Sequence, residues 1–168
     1  MTPLRRGLLR TALAAAVLAL AACAGAPQFQ PLGASRDEVV KSLGRPTATY
    51  PLPDGERLQY SLQPAGVTVY NLDFDRSGRL VRIDQPLDPD KLLATIKIDQ
   101  WTADDVRLLL GKPASVDHVA RFDGDIWTYR FQGMTNGRFV HIHLDRSHVV
   151  RQILFTDEIL VDGVDSFG

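Results

Sequence analysis

The sequence predicts an α+β protein built from two tandem repeats, each with one or two short helices packed on a three- to four-stranded antiparallel meander. Three ordered blocks recur along the chain: residues 35–46 match 102–113, 54–60 match 123–129, and 72–77 match 142–147. The offset grows only from 67 to 70 residues, which short loop insertions explain. Because ordered self-similarity indicates a duplicated structural unit, we expect a first repeat at 35–87 and a second at 88–156.

Each repeat is expected to contain a short capped helix. Ser35 and Thr102 stand at N-cap positions, with Glu38 and Asp105 three residues later. That spacing is the capping box, complete in the first repeat and weaker in the second. Apolar residues then follow at helical i, i+3 and i+4 spacing, which predicts one buried stripe on each helix.

Glycine and proline mark where these helices end. Gly44 and Gly111 lie where a C-cap with positive φ is needed, and a proline two residues later prevents continuation. Residues 88–96 predict a further helix, with Asp88 as N-cap and Pro89 at its first position. The second repeat is therefore expected to hold two helices.

The remaining segments alternate like strands. The dipeptides Asp54-Gly55 and Asp123-Gly124 are typical of hairpin turns. Period-two alternation predicts one buried face and one solvent-exposed face for each sheet. The residues expected on the buried faces are Leu58, Tyr60, Leu62, Tyr70, Leu72 and Phe74, and Trp127, Tyr129, Phe131, Val140, Ile142 and Leu144.

The first residues have the character of an export signal. Three arginines precede an apolar stretch at 11–22, which is shorter than the ~20 residues that a membrane-spanning helix needs. The string Leu20-Ala21-Ala22-Cys23 resembles the lipobox of bacterial lipoproteins. This resemblance implies a signal peptide at 1–22 and lipidation of Cys23, and an ordinary signal peptide with an incidental cysteine is the alternative.

The resemblance to lipoproteins also implies a location. Ala24 follows the cysteine, which by the sorting pattern of enterobacterial lipoproteins favours the outer membrane, with the chain facing the periplasm. We expect residues 23–34, which contain two prolines and two glycines, to form a lipidated cysteine with a flexible tether. Residues 157–168 are expected to be an acidic C-terminal tail.

Charge and cysteine content exclude several functions. From residue 23 onward the chain has 16 basic and 20 acidic residues, a formal charge of −4. That balance gives no basic stripe for nucleic acid, and membrane attachment would depend on the lipid. Cys23 is the single cysteine, so a lipidated chain has no thiol for catalysis or metal binding.

The motifs together resemble the SmpA/OmlA (BamE-like) outer-membrane lipoprotein domain. In the second repeat the match runs through Trp101-Thr102, the helix at 104–110, Gly111-Lys112-Pro113 and Trp127-Thr128-Tyr129. The first repeat matches through Gly33, residues 35–46, Gly55, Tyr60 and residues 73–75. A tandem pair also resembles the β-lactamase inhibitory protein fold, which implies a sheet surface presented to a target protein.

Catalytic signatures are absent from the sequence. It contains neither a Gly-x-Ser-x-Gly elbow nor an H-E-x-x-H helix, so we predict no enzyme and no catalytic residues. His141 and His143 share a strand face and are weak metal candidates, but their counterparts Asn71 and Asp73 are merely polar. We therefore predict no specific metal site and no cofactor besides the covalent lipid.

A partner is expected to bind the polar faces of the two sheets, where Phe139 and Ile126 add apolar surface. The predicted binding residues are Gln59, Ser61, Asn71, Asp73, Thr128, Arg130, Phe139, His141 and His143. The leading hypothesis is a non-enzymatic outer-membrane lipoprotein that binds another envelope protein, and the resemblance implies a role in cell-envelope or outer-membrane protein assembly. The alternatives are a metal- or small-ligand-binding lipoprotein using His141 and His143, and an inhibitor of a secreted or periplasmic enzyme. The oligomeric state stays open.

Overall fold

The computed structural model of the chain describes residues 25–133 and 136–158. Within these ranges lie three α-helices, α1 (Arg36–Leu43), α2 (Pro89–Thr95) and α3 (Ala103–Leu110). The strands are β1 (Ala48–Leu52), β2 (Gly55–Ser61), β3 (Val69–Asp75), β4 (Leu80–Asp84), β5 (Ser115–Val119), β6 (Phe122–Gln132), β7 (Gly137–Asp145) and β8 (Val150–Asp157). They form two four-stranded sheets in the orders β1-β2-β3-β4 and β5-β6-β7-β8, so the predicted α+β class with antiparallel sheets is confirmed.

The predicted signal peptide at 1–22, Cys23 and residues 159–168 of the predicted tail lie outside the described residues. Among the helices of the described part, none has both the length and the apolar character needed to cross a membrane.

The chain divides into two compact units. The first contains the described residues up to Leu58 together with Leu72–Asp84, and the second contains Gln59–Asn71 and the described residues from Gln85 onward. This division differs from the predicted boundary between 87 and 88, because the far half of the β2–β3 hairpin belongs to the second unit. Val69 illustrates the reason, since its fully buried side chain is part of the second unit's core.

The helix caps follow the expected pattern. The Ser35 hydroxyl accepts a hydrogen bond from the Glu38 N–H at 3.3 Å, and the Glu38 carboxylate accepts one from the Ser35 N–H at 2.8 Å. The hydrogen bonds that the Glu38 carboxylate accepts from the Ser35 N–H and from the Ser35 hydroxyl lower the pKa of Glu38. At the start of α3 the Asp105 carboxylate accepts from the Thr102 N–H at 2.8 Å. Orphan N–H groups at both helix N-termini are thereby satisfied by side chains.

Each unit has its own apolar core. In the first unit the buried residues include Val39 of α1 and Leu58, Leu72, Phe74 and Leu80 of the sheet. In the second unit α2 and α3 pack on one face of the sheet. Its core comprises Val69, Leu87, Leu92, Ile96, Ala103, Val106, Leu110, Trp127, Tyr129, Phe131, Val140, Ile142, Leu144 and Val150.

The residues predicted for the buried sheet faces are buried, except at one end of the first hairpin. Tyr60 and Tyr70 are half-buried, and Leu62 is 63% exposed. The predicted core position of Leu62 is wrong. Because β2 ends at Ser61, the alternation of the strand does not extend to Leu62.

The predicted turn at Asp123-Gly124 is wrong. Val119 pairs with Phe122, which places the β5–β6 turn at Ala120 and Arg121 and leaves Gly124 inside β6. A Cβ on Gly124 would overlap the carbonyl oxygen of Leu144 on the neighbouring strand. Glycine is therefore needed there for the close approach of two backbones.

Part of the predicted flexible tether is packed, contrary to the expectation for 23–34. Residues Pro27–Phe29 form a 3₁₀ turn, and the buried Gln30 amide donates to the Ser42 hydroxyl at 3.2 Å. The Gly33 N–H then donates to the Leu80 carbonyl at 2.7 Å. These bonds attach the segment to the first unit, which composition alone did not indicate.

Candidate functional site

Strand register places the predicted binding residues of the second sheet on one face. Thr128 lies opposite His141 and His141 opposite Leu154, while Arg130 lies opposite Phe139. This face is turned away from α2 and α3, because those helices pack with the intervening residues such as Trp127. We call it the outer face of the second sheet.

Much of the predicted solvent-exposed face is in fact buried. The buried members of the predicted set are Gln59, Asn71, Asp73, Thr128 and His143, and Ile126 is buried as well. Alternation correctly separated the two faces, but it carried no information on what packs against the polar one. These residues therefore do not belong to an accessible binding surface.

Gln59 and Asn71 are buried, and their side-chain amides form hydrogen bonds within the second unit. Asn71 Nδ2 donates to the Leu109 carbonyl at 2.8 Å, and Gln59 Nε2 donates to Asn71 Oδ1 at 2.9 Å. Leu109 lies in the last turn of α3, where carbonyl groups have no partner inside the helix. The Tyr129 hydroxyl donates to the carbonyl of Gly111, the C-cap residue of α3, at 2.8 Å. Buried polar side chains thus cap the C-terminus of α3.

Asp73 is buried through an ion pair within the first unit. Arg57 Nε and Nη2 donate to its two carboxylate oxygens at 2.6 and 2.9 Å, and both side chains are about nine-tenths buried. A bidentate pair of this kind fixes the geometry of both groups. Asp73 is thereby held inside the protein and is not available to a partner.

Ser61 is half-buried and serves its own loop. Its hydroxyl accepts from the Gln63 N–H at 3.2 Å. The Gln63 amide in turn donates to the Arg130 carbonyl at 2.6 Å and accepts from the Arg130 N–H at 3.1 Å. Gln63 therefore closes the β6 edge beyond the end of β5, where these backbone groups have no partner strand in the described part.

The accessible part of the outer face is a small patch around one aromatic ring. Phe139, Arg130 and His141 are half-buried, and Leu154 is 41% exposed. The rings of Phe139 and His141 lie 6.2 Å apart. We define these four residues as the outer-face patch.

Arg130 is held rigidly within this patch. Its Nη2 and Nε lie 2.8 and 3.1 Å from the two carboxylate oxygens of Glu158. Because Glu158 balances the charge and fixes the guanidinium plane, Arg130 presents a preorganised surface.

The two histidines are also fixed. His141 Nδ1 lies 2.9 Å from the Thr128 hydroxyl and its Nε2 lies 2.8 Å from the Thr156 hydroxyl. Burial lowers the pKa of His141, and Asp117 opposes this effect. His143 packs edge-on against Phe122, and its buried Nδ1 has no hydrogen-bond partner among the described residues. Its pKa is lowered by burial and further by His141.

Within the part of the chain that the structure describes, no group of three potential metal ligands surrounds the histidine pair. Across residues 25–133 and 136–158 no cluster of three His, Cys, Asp or Glu side chains is positioned to hold a metal ion. A structural zinc site requires four ligands and a catalytic one three.

A second feature of this unit was not predicted from the sequence. A cleft of about 650 Å³ lies between α3 and β5, and Arg107 and Lys112 are among the residues that line it. The guanidinium carbon of Arg107 lies 4.6 Å from the centre of the Trp127 ring. Lys112 belongs to the Gly111-Lys112-Pro113 segment after α3, and this motif predicts the end of a helix without indicating a cleft.

Comparison with known proteins shows no match in sequence and a weak similarity in structure. No protein-family model and no curated protein matches the sequence. Among solved structures, the chain is similar to the crystal structure of YjgB, a DUF4309 family protein from Bacillus subtilis, with 13% identity and a TM-score of 0.32. The match covers 74% of this chain and 79% of that chain. A similarity this low supports no argument about fold or function.

Proposed function

We propose that the protein is a non-enzymatic outer-membrane lipoprotein, anchored through Cys23, that binds another envelope protein through the outer-face patch. The lipobox-like string ending in Cys23 supports the anchor. One structural observation supports the binding role above all: Phe139 is partly accessible between its cross-strand neighbours Arg130 and Thr156, on the sheet face opposite α2 and α3.

The composition of the patch fits this role. Aromatic residues and arginine are enriched in protein interfaces, and tight interfaces depend on a few such anchors. Phe139 supplies apolar area, while Arg130 is already oriented by Glu158. Since little side-chain freedom remains to be lost, such a patch binds with a reduced entropy cost.

The finer architecture in this proposal is a tandem pair of BamE-like units, with the domains in the periplasm. Local geometry recurs at matched positions. Ser35 bridges to Arg79 as Thr102 bridges to Val149, each joining the start of a helix to the start of the last strand. Asp75 and Asp145 each accept hydrogen bonds from the backbone N–H groups two and four residues later. This recurrence supports duplication of one unit.

The anchor is tested by mass spectrometry of the chain purified from membranes of its native host. We expect the mature protein to begin at Cys23, to carry acyl groups and to fractionate with outer membranes. In the Cys23→Ser variant, we expect both the acyl mass and the membrane fraction to be lost. A wild-type chain with an unmodified thiol would contradict the anchor and leave the binding role to be tested separately.

Binding is tested by photocrosslinking in the native envelope. A photoreactive benzoylphenylalanine at position 139 should give a discrete crosslinked product with a second protein. The matched control places the same group at Val81, which is 53% exposed on β4 of the other sheet. No product from position 139, or the same products from both positions, would reject the outer-face patch as the interface.

A further inference from the structure

The segment that follows Cys23 exposes apolar side chains close to the proposed lipid. Leu32 and Phe29 are 67% and 64% exposed, more than any other large apolar side chain among the described residues. Residues 25–34 contain no charged side chain, and Pro31 is exposed as well. We call residues 25–34 the anchor-proximal segment. Exposed apolar side chains without interspersed charges are typical of surfaces that bind an apolar partner or a membrane.

The anchor-proximal segment is held firmly on the first unit. The buried Gln30 amide donates to the Ser42 hydroxyl at 3.2 Å, and the Leu80 N–H donates to the Ala34 carbonyl at 2.9 Å. The exposed apolar residues lie on either side of Gln30 in the sequence, so these bonds fix the backbone that carries them. Such side chains lose little freedom on binding, and whatever they bind takes a defined position relative to the first unit.

The short distance to Cys23 limits what the anchor-proximal segment can face. Four residues of at most about 3.6 Å each separate Cys23 from Pro27, and the 3₁₀ turn Pro27–Phe29 adds about 2 Å per residue. The Cα of Phe29 therefore lies within about 18 Å of the Cα of Cys23. Acyl groups buried in a bilayer keep a lipidated cysteine at the membrane surface, so that surface lies within reach of Phe29.

The charged side chains on the neighbouring strand are compatible with a headgroup layer. Arg79 Nη1 donates to the Gly33 carbonyl at 3.2 Å, and on β4 Arg82 forms an ion pair with Asp84 at 3.5 Å. Arginine next to a membrane is attracted by lipid phosphates, and Asp84 is balanced by its own partner. These charges therefore leave the apolar side chains of the anchor-proximal segment free to contact lipid.

The matching stretch of the second unit has a different character. Residues 91–101 precede its capped helix as the anchor-proximal segment precedes α1. Ile98 is 47% exposed there, but Lys97 and Asp99 flank it in the sequence. Charged groups lose hydration when they enter an apolar environment, so this stretch is less suited to contact lipid. Ile98 thus provides a control for an exposed apolar side chain at a matching place.

We propose that the anchor-proximal segment docks on the bilayer that holds the lipid of Cys23, with Phe29 and Leu32 inserted at the boundary between headgroups and acyl chains. This inference rests on the proposed lipidation of Cys23 and goes beyond it, because acyl chains alone leave the orientation of the protein free. Docking fixes the first unit against the membrane surface. The contact is driven by burial of apolar area and not by attraction between charges.

The test uses the full lipidated protein, with its acyl groups verified by mass spectrometry, in vesicles of phosphatidylethanolamine and phosphatidylglycerol. Since a lipidated Cys23 has no free thiol, Gln28→Cys introduces a single site for a nitrobenzoxadiazole label at an exposed position next to Phe29. A lipid that is spin-labelled near the headgroup end of its acyl chain quenches this fluorophore on contact. The label is then measured in the double variant Phe29→Ser, Leu32→Ser and in the control variant Ile98→Ser.

We expect the spin-labelled lipid to quench the label at position 28, and the double variant to lower the quenched fraction at least about threefold, because it removes the apolar area that enters the bilayer. Ile98→Ser should leave the quenching unchanged. Raised salt should leave it unchanged as well, since the contact is apolar. If quenching persists in the double variant, the tether alone brings the label to the bilayer and the proposal is overturned. Loss of quenching at high salt, or equal effects of the double variant and Ile98→Ser, would also overturn it.

The result also distinguishes this inference from the proposed anchor. An acylated, vesicle-bound protein whose label is not quenched overturns membrane docking and leaves the anchor intact. Brighter fluorescence on vesicle binding without quenching has the same meaning, because the label then contacts protein and not lipid. A chain without acyl groups overturns the anchor together with the docking that depends on it.

Discussion

The side-chain amide of Asn71 donates a hydrogen bond of 2.8 Å to the carbonyl oxygen of Leu109, in the last turn of α3. Asn71 is fully buried, and Gln59 donates to its side-chain oxygen. A polar residue of a strand thus gives a carbonyl at the end of the helix its shortest side-chain hydrogen bond, while Gln59 Nε2 lies farther from the same oxygen, at 3.5 Å. The bond belongs to the packing of the second unit and has no role in our binding proposal.

Replacing Asn71 should destabilise the second unit. In Asn71→Ala the Leu109 carbonyl loses its nearest donor, and Gln59 Nε2 loses its acceptor at 2.9 Å and keeps the Leu109 carbonyl at 3.5 Å. We therefore expect the free energy of unfolding to fall by about 1–3 kcal/mol. Urea unfolding followed by circular dichroism measures the loss. The control is Gln152→Ala, which removes an exposed amide on β8 and should change stability by less than about 0.5 kcal/mol. Equal effects of the two substitutions would contradict the role of the buried bond.

The two helix-ending glycines should respond differently to alanine. Gly44 and Gly111 have φ values of +80° and +74°, so either substitution strains the backbone by about 1–2 kcal/mol. A Cβ on Gly44 meets nothing within 4 Å, whereas one on Gly111 would overlap the Gln59 side-chain oxygen. We therefore expect Gly111→Ala to cost about 1–3 kcal/mol more than Gly44→Ala in the same urea experiment.

A second substitution separates the two causes. Shortening Gln59 in the Gly111→Ala, Gln59→Ala double variant removes the overlap but keeps the backbone strain. The cost of adding Gly111→Ala should then approach that of Gly44→Ala. If Gly111→Ala costs no more than Gly44→Ala even with Gln59 present, the close packing of Gln59 on Gly111 is wrong.

Stability should fall on mild acidification because of the outer-face histidines. Burial lowers the pKa of His141 and His143 from the ordinary value of 6.5, so the unfolded chain binds these protons more readily than the folded one. Their stabilising contribution is complete above about pH 6.5 and is lost as the pH falls from there toward the lowered pKa values. Urea midpoints measured at about pH 7.5 and about pH 5.5 should show the decrease.

His143→Leu should reduce this pH dependence, because it removes the more deeply buried of the two titrating rings. The control is His148→Asn at an exposed turn position with a φ of +58°, which asparagine tolerates. The His148→Asn control should show the same decrease in the urea midpoint between the two pH values as the wild type. If the urea midpoint of the His143→Leu protein falls as much on acidification as that of the wild type, other groups cause the decrease.

Local structure could be predicted well from the sequence. The capping box of Ser35 and Glu38 and the positive φ of Gly44 and Gly111 follow from short-range chemistry, since each depends on residues within one helical turn. The buried sheet faces follow from period-two alternation, which depends only on the geometry of a strand.

Tertiary packing could not be predicted in the same way. Alternation along the strands predicts a polar face for Gln59 and Asn71. It does not indicate whether water or the C-terminal end of α3 provides the hydrogen-bond partners of their amides. The Asp123-Gly124 pair predicts a turn that the structure does not have, because sequence context does not distinguish a glycine needed for positive φ from one needed for close backbone approach. The cleft beside β5 joins a helix, a loop and an edge strand, and no local pattern marks it.

The affinity of the purified crosslinked partner for the full lipidated protein tests the binding role of the outer face most directly. Phe139→Ala removes the aromatic anchor, and Val81→Ala removes a more exposed apolar side chain from the other sheet. We predict that Phe139→Ala raises the dissociation constant at least about tenfold, the effect of losing a central anchor, while Val81→Ala leaves it unchanged. A Phe139→Ala protein that binds the partner as tightly as the wild type would contradict the account.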